Sequence, residues 1–178
     1  SKEMIVTSKH PVVLDTPPVM QISAGLRHTA MVSSSGHVLT CGQASRGQLG
    51  VLGSDGNMLK ASDAPVRVEG LEDVCQVACG QHHTLALTVD GRLYGWGDNR
   101  RGQLGPGPDH FPTPRLIITC EPEATIKAGW THSAVLFVVT QSPITLLHLL
   151  FEFPSGVDLS CRHTCIIVIT SWISHIGR

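Results

Sequence analysis

The sequence predicts an all-β fold built from a repeated unit, and three observations carry that reading. The first is a repeat. Within Ala24–Gly50 and Gly80–Gly105, Gly25 matches Gly80, His28 matches His83, Thr29 matches Thr84, Gly36 matches Gly91 and Gly42 matches Gly97, each 55 residues apart. Gly47-Gln48-Leu49-Gly50 returns as Gly102-Gln103-Leu104-Gly105 at the same offset. A third start, Ala128–Phe137, places Gly129 and His132 49 residues beyond Gly80 and His83. The second observation is composition: 18 Gly and 11 Pro with 4% aromatics favour many turns and short strands over long helices. The third is local, since short apolar stretches alternate with glycine-bearing turns inside each unit.

The elements follow in order. His10–Leu14 fills the slot that Pro65–Val68 fills later, so residues 1–20 are read as the end of a preceding unit. Residues 21–70 form the first repeat, 71–125 the second, 126–137 the start of a third, and 138–178 a non-repeat tail. In the second unit Gln76–Cys79 is a short strand and Thr84–Thr88 the next, with Leu85 and Leu87 on one face. Val89-Asp90-Gly91 makes a tight turn. Arg92–Trp96 returns, anchored by Trp96; Gly97 allows an exit bend, and Gly-Gln-Leu-Gly makes another turn. Four short antiparallel strands per unit of about 50 residues describe blades of an incomplete β-propeller.

Departures from the pattern are as informative. Cys41 stands in the first unit where Trp96 stands in the second, and Val51–Ala64 makes a longer outer loop there. In the third unit Val139-Thr140 replaces the Asp-Gly turn, Thr145-Leu146 replaces Trp-Gly, and Phe151–Pro154 replaces Gly-Gln-Leu-Gly. The tail admits two readings: a diverged element that completes the third blade, or a non-homologous end from alternative splicing or intron read-through. The loss of every repeat position favours the second. Cys165–Thr170 has high β-propensity and no charge, an aggregation hazard if left unpaired.

Charge and length exclude several classes. Thirteen basic and 14 acidic residues in 178 leave the chain near neutrality, and no basic block points to nucleic acid. No apolar run reaches the roughly 18 residues of a membrane span, and residues 1–25 lack a secretory pattern. Six cysteines in this length read as reduced thiols of a cytoplasmic or nuclear protein. The chain starts on Ser1 rather than Met, as a fragment would.

Candidate sites divide by whether they repeat. A residue returned by every unit serves the scaffold, so Gly25, His28, Gly36, Gly42, Gly80, His83, Gly91, Trp96, Gly97, Gly129 and His132 are read as structural repeat positions. The imidazoles are expected to bond backbone between strands. His82 has no counterpart, because Arg27 and Thr131 occupy its phase. It is expected to be an exposed loop residue, with Asp98, Arg100 and Arg101 as further loop residues available to a partner. Asp98 and Asn99 are turn residues first. Cys75 and Cys79, with His82 and His83, offer soft ligands, but four residues along one strand face separate the thiols by about 13 Å, so no metal site is expected. The tail's Cys161, His163 and Cys165 are a weaker set still. No nucleophile elbow, phosphate loop or paired-acid motif occurs, so no catalytic residue is assigned and no cofactor is expected.

The alternating strand after Gly-x-x-His-Thr, the Asp-Gly turn, Trp-Gly and Gly-Gln-Leu-Gly together resemble the regulator-of-chromosome-condensation repeat family, over roughly Gln21–Phe137. Within it, "GLRH" followed by a full unit and "GWTH" is most similar to the secretion-regulating exchange factors. The resemblance implies a seven-bladed propeller in the whole protein and guanine nucleotide exchange on a small GTPase through protein–protein contacts, with no cofactor. The residues alone best support a non-catalytic protein-interaction scaffold, and the exchange reading comes from the resemblance. A truncated isoform without exchange activity is the third reading, because seven units would need on the order of 350 residues.

Overall fold

The computed structural model describes residues 3–5, 12–14, 16–120, 123–138 and 164–169, with backbone alone for 3–5, 12–14, 137–138 and 164–169. No helix occurs among them. β1 (Glu3–Ile5) and β2 (Val12–Leu14) form a two-stranded antiparallel sheet. β3 (Val19–Ala24), β4 (His28–Ser33), β5 (Val38–Gln43) and β6 (Ala61–Arg67) form the first four-stranded meander. β7 (Val74–Cys79), β8 (His83–Thr88), β9 (Arg92–Asp98) and β10 (His110–Thr119) form the second. Both are antiparallel throughout. The chain is an incomplete all-β propeller.

The repeat is visible in the register. His28 faces Gly42 and Thr29 faces Cys41, as His83 faces Gly97 and Thr84 faces Trp96. The outer strands carry the prolines, Pro65 in β6 and Pro112 and Pro114 in β10, where a missing N–H is tolerated. The exit glycine lies inside a strand rather than after one. β9 runs on through Gly97 to Asp98, because Gly97 pairs with His83 on one side and Phe111 on the other.

Apolar residues are buried between the sheets. One cluster joins Ala30, Val32 and Val38 of the first unit to Val77, Ala86 and Trp96 of the second, through Val68 and Leu71. Another joins Leu85, Leu87 and Leu93 of the second unit to Ile126 and Val135 of the third. All six residues of β8 are buried, since both faces of that sheet are covered. A single unit could not bury both faces, so stability is a property of the stack.

The third sheet departs from the meander. β11 (Thr125–Ala128) pairs antiparallel with β12 (Ser133–Val138), and β12 then pairs in parallel with β13 (Thr164–Ile169). The β-prone stretch of the tail thus occupies the position that a returning antiparallel strand holds in the first two units. The other tail positions read from the sequence, Val139-Thr140, Thr145-Leu146, Phe151–Pro154, Cys161 and His163, lie outside the described residues.

Candidate functional site

The repeated residues meet at the seams between units. His28 Nε2 lies 3.0 Å from the Thr84 hydroxyl, which donates to the Gln48 carbonyl at 2.9 Å. Trp96 Nε1 donates to the same carbonyl at 2.9 Å. One unit on, His83 Nε2 lies 3.2 Å from the Ser133 hydroxyl, which donates to the Gln103 carbonyl at 2.6 Å. The imidazole's side-chain partner is a hydroxyl of the next unit, and backbone also contributes, at His83 for the His28 ring and at His132 for the His83 ring. A second pair of bonds repeats too. The Val77 amide donates to Gln21 Oε1 at 2.7 Å, and the Ile126 amide donates to Gln76 Oε1 at 3.2 Å. Sequence reasoning missed Gln21 and Gln76, although their 55-residue separation was a usable signal.

Burial fixes the chemistry of these rings. Desolvation, with help from the neighbouring His83, pushes His28 down to about 4. Desolvation likewise pushes His83 down to about 4, with His132 adding to it against the opposing field of Asp98. Both rings are neutral at physiological pH. His132 is exposed. Trp96 is 0% exposed, and a Cβ on Gly50 would meet its ring.

The repeated glycines serve close approaches and turns. A Cβ on Gly25 would collide with the His28 ring, one on Gly80 with the His83 ring and one on Gly129 with the His132 ring. Gly36 and Gly91 close the hairpins by donating to Ser33 and Thr88 carbonyls. Gly42 and Gly97 take φ of 105° and 98°, where a Cβ would strike the carbonyls of Arg27 and His82.

The residues that vary between units lie at the loop end of the stack. There the β3–β4 and β7–β8 loops meet the ends of β5 and β9: the Gln43 amide donates to Arg27 O, and the Asp98 amide to His82 O. His82 is half-buried rather than exposed, its Nδ1 3.4 Å from Gln48 Nε2 across the seam. Its pKa is lowered by desolvation first and then by Arg46, Arg100 and Arg27. Asp98, expected as an accessible loop residue, is 4% exposed. Arg100 Nε binds its Oδ1 at 2.8 Å, Arg46 Nη1 of the first unit reaches Oδ1 at 3.6 Å, and Gln103 Nε2 donates to Oδ2 at 3.3 Å. Burial raises its carboxyl, but the bonds and charge of Arg100 and the charge of Arg46 outweigh that, so its pKa is lowered. Asn99 also works internally, donating to the carbonyls of Gly105 and Pro108. Arg101 is exposed, with its amide donating to Gln103 Oε1 at 2.9 Å.

The thiols do not converge on a metal. A bulge at Cys75 breaks the strand alternation, leaving Cys75 exposed while Cys79 is buried. Desolvation raises Cys79 to about 11. Among the described residues no three His, Cys, Asp or Glu side chains are placed to hold a metal ion. No helix among them is long and apolar enough to cross a membrane.

Two family models, both described as the regulator of chromosome condensation (RCC1) repeat, match the chain, one at residues 19–48 and 74–103 and the other at 35–87 and 90–136. The chain belongs to the RCC1-repeat family. It is 37% identical over 130 residues to human HERC6, a probable E3 ubiquitin-protein ligase, covering 69% of this chain and 12% of that one. It is 33% identical over 123 residues to the ultraviolet-B receptor UVR8 of Arabidopsis thaliana, covering 63% of this chain and 26% of the receptor. Among solved structures, human WBSCR16 superimposes with a TM-score of 0.62 at 27% identity, over 72% of this chain and 33% of that one. Prp20p of Saccharomyces cerevisiae, studied for its binding to Gsp1p and histones, superimposes at 0.59 and 23% identity, over 80% of this chain and 36% of its own. That likeness carries the fold alone. The chain thus spans between an eighth and about a third of these relatives.

Proposed function

We propose that this chain is a protein-docking segment of an RCC1-type propeller, and that the whole protein promotes guanine nucleotide exchange on a small GTPase. The observation that supports docking is a division of labour among repeat positions. Most residues shared between units, such as His28, His83, Gln48 and Gln103, are buried and spent on the stack, whereas Leu26, Arg27 and Trp130, which differ, are exposed at the loop end. Leu26 and Trp130, at one phase of two units, are 46% and 60% exposed, and Arg27 and His82 share the next phase. Exposed Trp and Arg on a rigid frame are the residue types that anchor protein contacts.

The exchange reading draws on the family resemblance and on the fold shared with Prp20p. An exchange factor works by binding the nucleotide-free GTPase better than the loaded form, which asks for a contact surface rather than a cofactor. Relatives as different as a probable ubiquitin-protein ligase and an ultraviolet-B receptor favour contact over any one chemistry. The thiols of Cys41, Cys75, Cys79 and Cys120 suit a cytoplasmic or nuclear setting.

The test is a panel of small GTPases, nucleotide-free and GDP-bound, presented to the chain with Trp130→Ala as control. The expected result is preferential capture of a nucleotide-free form, weakened by Trp130→Ala, without faster release of labelled GDP. Capture indifferent to Trp130 and Arg27 substitution would sink the docking surface. Release at sub-stoichiometric chain would sink the view that this segment contributes contact alone.

A further inference from the structure

The two ends of the first two units differ in charge: arginines are the more numerous at the loop end, beside Asp63, Asp98 and Asp109, and carboxylates at the other end, beside Arg67 and Arg92. At the loop end stand Arg27, Arg46, Arg100 and Arg101. At the other end, where the Val74 amide donates to Gly36 O and the Val89 amide to Asp73 O, Glu72 and Asp73 line a shallow cleft, and Glu69 and Asp90 adjoin its lining residues Gly70 and Thr88 in the chain. Arg92, also there, is paired to Asp90 at 2.7 Å.

The cationic end is built across the seam. Arg27 and Arg46 come from the first unit, and Arg100 from the second. Arg46 and Arg100 converge on one buried carboxylate, Asp98, with distances of 3.6 and 2.8 Å, yet their side chains stay 34% and 49% exposed. Arg27 donates to the neutral Gln43 Oε1 at 3.1 Å rather than to a carboxylate. His82 lies within the field of all three guanidiniums. Its Nδ1 faces the Gln48 amide, which leaves Nε2 as its outward ring nitrogen. Arg46 and Arg100 thus share Asp98, Asp109 adds its field at Arg100, and Arg27 has no carboxylate partner among its hydrogen bonds. Their outward N–H groups are unspent donors in a planar geometry suited to carboxylates.

Resting on the docking reading above, we infer that the Arg27–Arg46–Arg100 cluster binds a carboxylate-rich segment of a protein partner, laid across the seam between the first and second units. The acidic opposite end steers such a segment toward the loop end and repels it elsewhere. Arg46 and Arg100 are held in place by Asp98, so little side-chain freedom is lost on binding. Because two units supply the donors, the site exists only where they are stacked.

The test uses the 178-residue chain and fluorescein-labelled decaglutamate, followed by anisotropy at low salt, with decaglutamine, decalysine and decathymidylate as comparison probes. Decaglutamate is expected to bind, decaglutamine not, and affinity to fall steeply with salt. Arg27→Ala and Arg46→Ala should each weaken binding about fivefold, and Arg92→Ala at the other end should change nothing. Unchanged thermal melting of each variant would show that the stack persists. Decathymidylate binding as tightly as decaglutamate would overturn the inference in favour of a general polyanion surface. Decalysine binding without decaglutamate would overturn it while leaving docking intact at the acidic end. Binding of no probe would overturn it, and the docking reading would then stand or fall on the GTPase capture alone.

Discussion

Acid should dismantle the stack through two rings. His28 and His83 are neutral and buried in the seams, each pushed from 6.5 down to about 4 chiefly by desolvation. In the unfolded chain each ring takes a proton near 6.5. Their contribution to stability is thus complete above pH 6.5, falls as the pH drops from 6.5 to about 4, and levels off below. The size of each drop corresponds to about 3 kcal/mol. The two rings feel one another, so their combined effect is smaller than twice that. A loss of this size is a large fraction of the ~5–15 kcal/mol that holds a typical domain. Asp55, Asp90 and Asp98, with folded pKa values lowered below 3.8, act only under that window. The assay is urea unfolding followed by Trp fluorescence from pH 4.5 to 7.5, in the native chain and in His28→Gln/His83→Gln. Glutamine keeps a donor to the hydroxyl but does not titrate. The native chain should lose stability steeply between pH 6.5 and 4.5, and the variant should show a much shallower profile, with His82 contributing what remains. Equal slopes in the two proteins would refute the assignment of these rings as the acid-sensitive latch.

Further outcomes follow from the same contacts. Thr84→Val removes the hydroxyl between His28 and the Gln48 carbonyl, and should cost about 1–3 kcal/mol in urea unfolding. Trp96→Ala empties the largest buried side chain and leaves the Gln48 carbonyl without its indole donor, for a loss of about 3–5 kcal/mol. Gly97→Ala places a methyl against the His82 carbonyl at a φ of 98°, and should lower the melting temperature more than Gly56→Ala, where nothing lies within 4 Å. Asp98→Asn should loosen Arg46 and Arg100 together, read as faster side-chain NMR motion of both guanidiniums.

Much of the fold was legible because a repeat betrays itself at a fixed offset. Gly25/Gly80, His28/His83 and Gly42/Gly97 placed strands and turns without any knowledge of tertiary contacts. What stayed hidden was which atoms these residues meet. The His28–Thr84 and His83–Ser133 bonds join side chains 56 and 50 residues apart, and no local pattern names a partner at that range. Asp98 read as turn chemistry because Gly97-Asp98-Asn99 has a turn's composition, yet strand β9 continues through it and Arg46 from the other unit covers it. His82 read as exposed because it lacks a counterpart, and Gln48 across the seam was not visible. The bulge at Cys75 could not be read from spacing, since one extra residue leaves the composition unchanged. The parallel pairing of β13 was equally hidden, because β-propensity sets neither partner nor direction.

The central claim, that successive RCC1 units are stacked through their shared residues, rests most directly on amide hydrogen exchange at Val77 and Cys79. Both lie on β7, which pairs with β8 alone, so their N–H groups are held by Gln21 Oε1 at 2.7 Å and Ser23 Oγ at 2.9 Å of the preceding unit. The account predicts protection at both amides close to that of β8, with Val77 alone released by Gln21→Ala. Exchange at the rate of an open strand edge in the native chain would mean that the units do not stack in solution, and the seam, the latch and the cationic cluster would go with it.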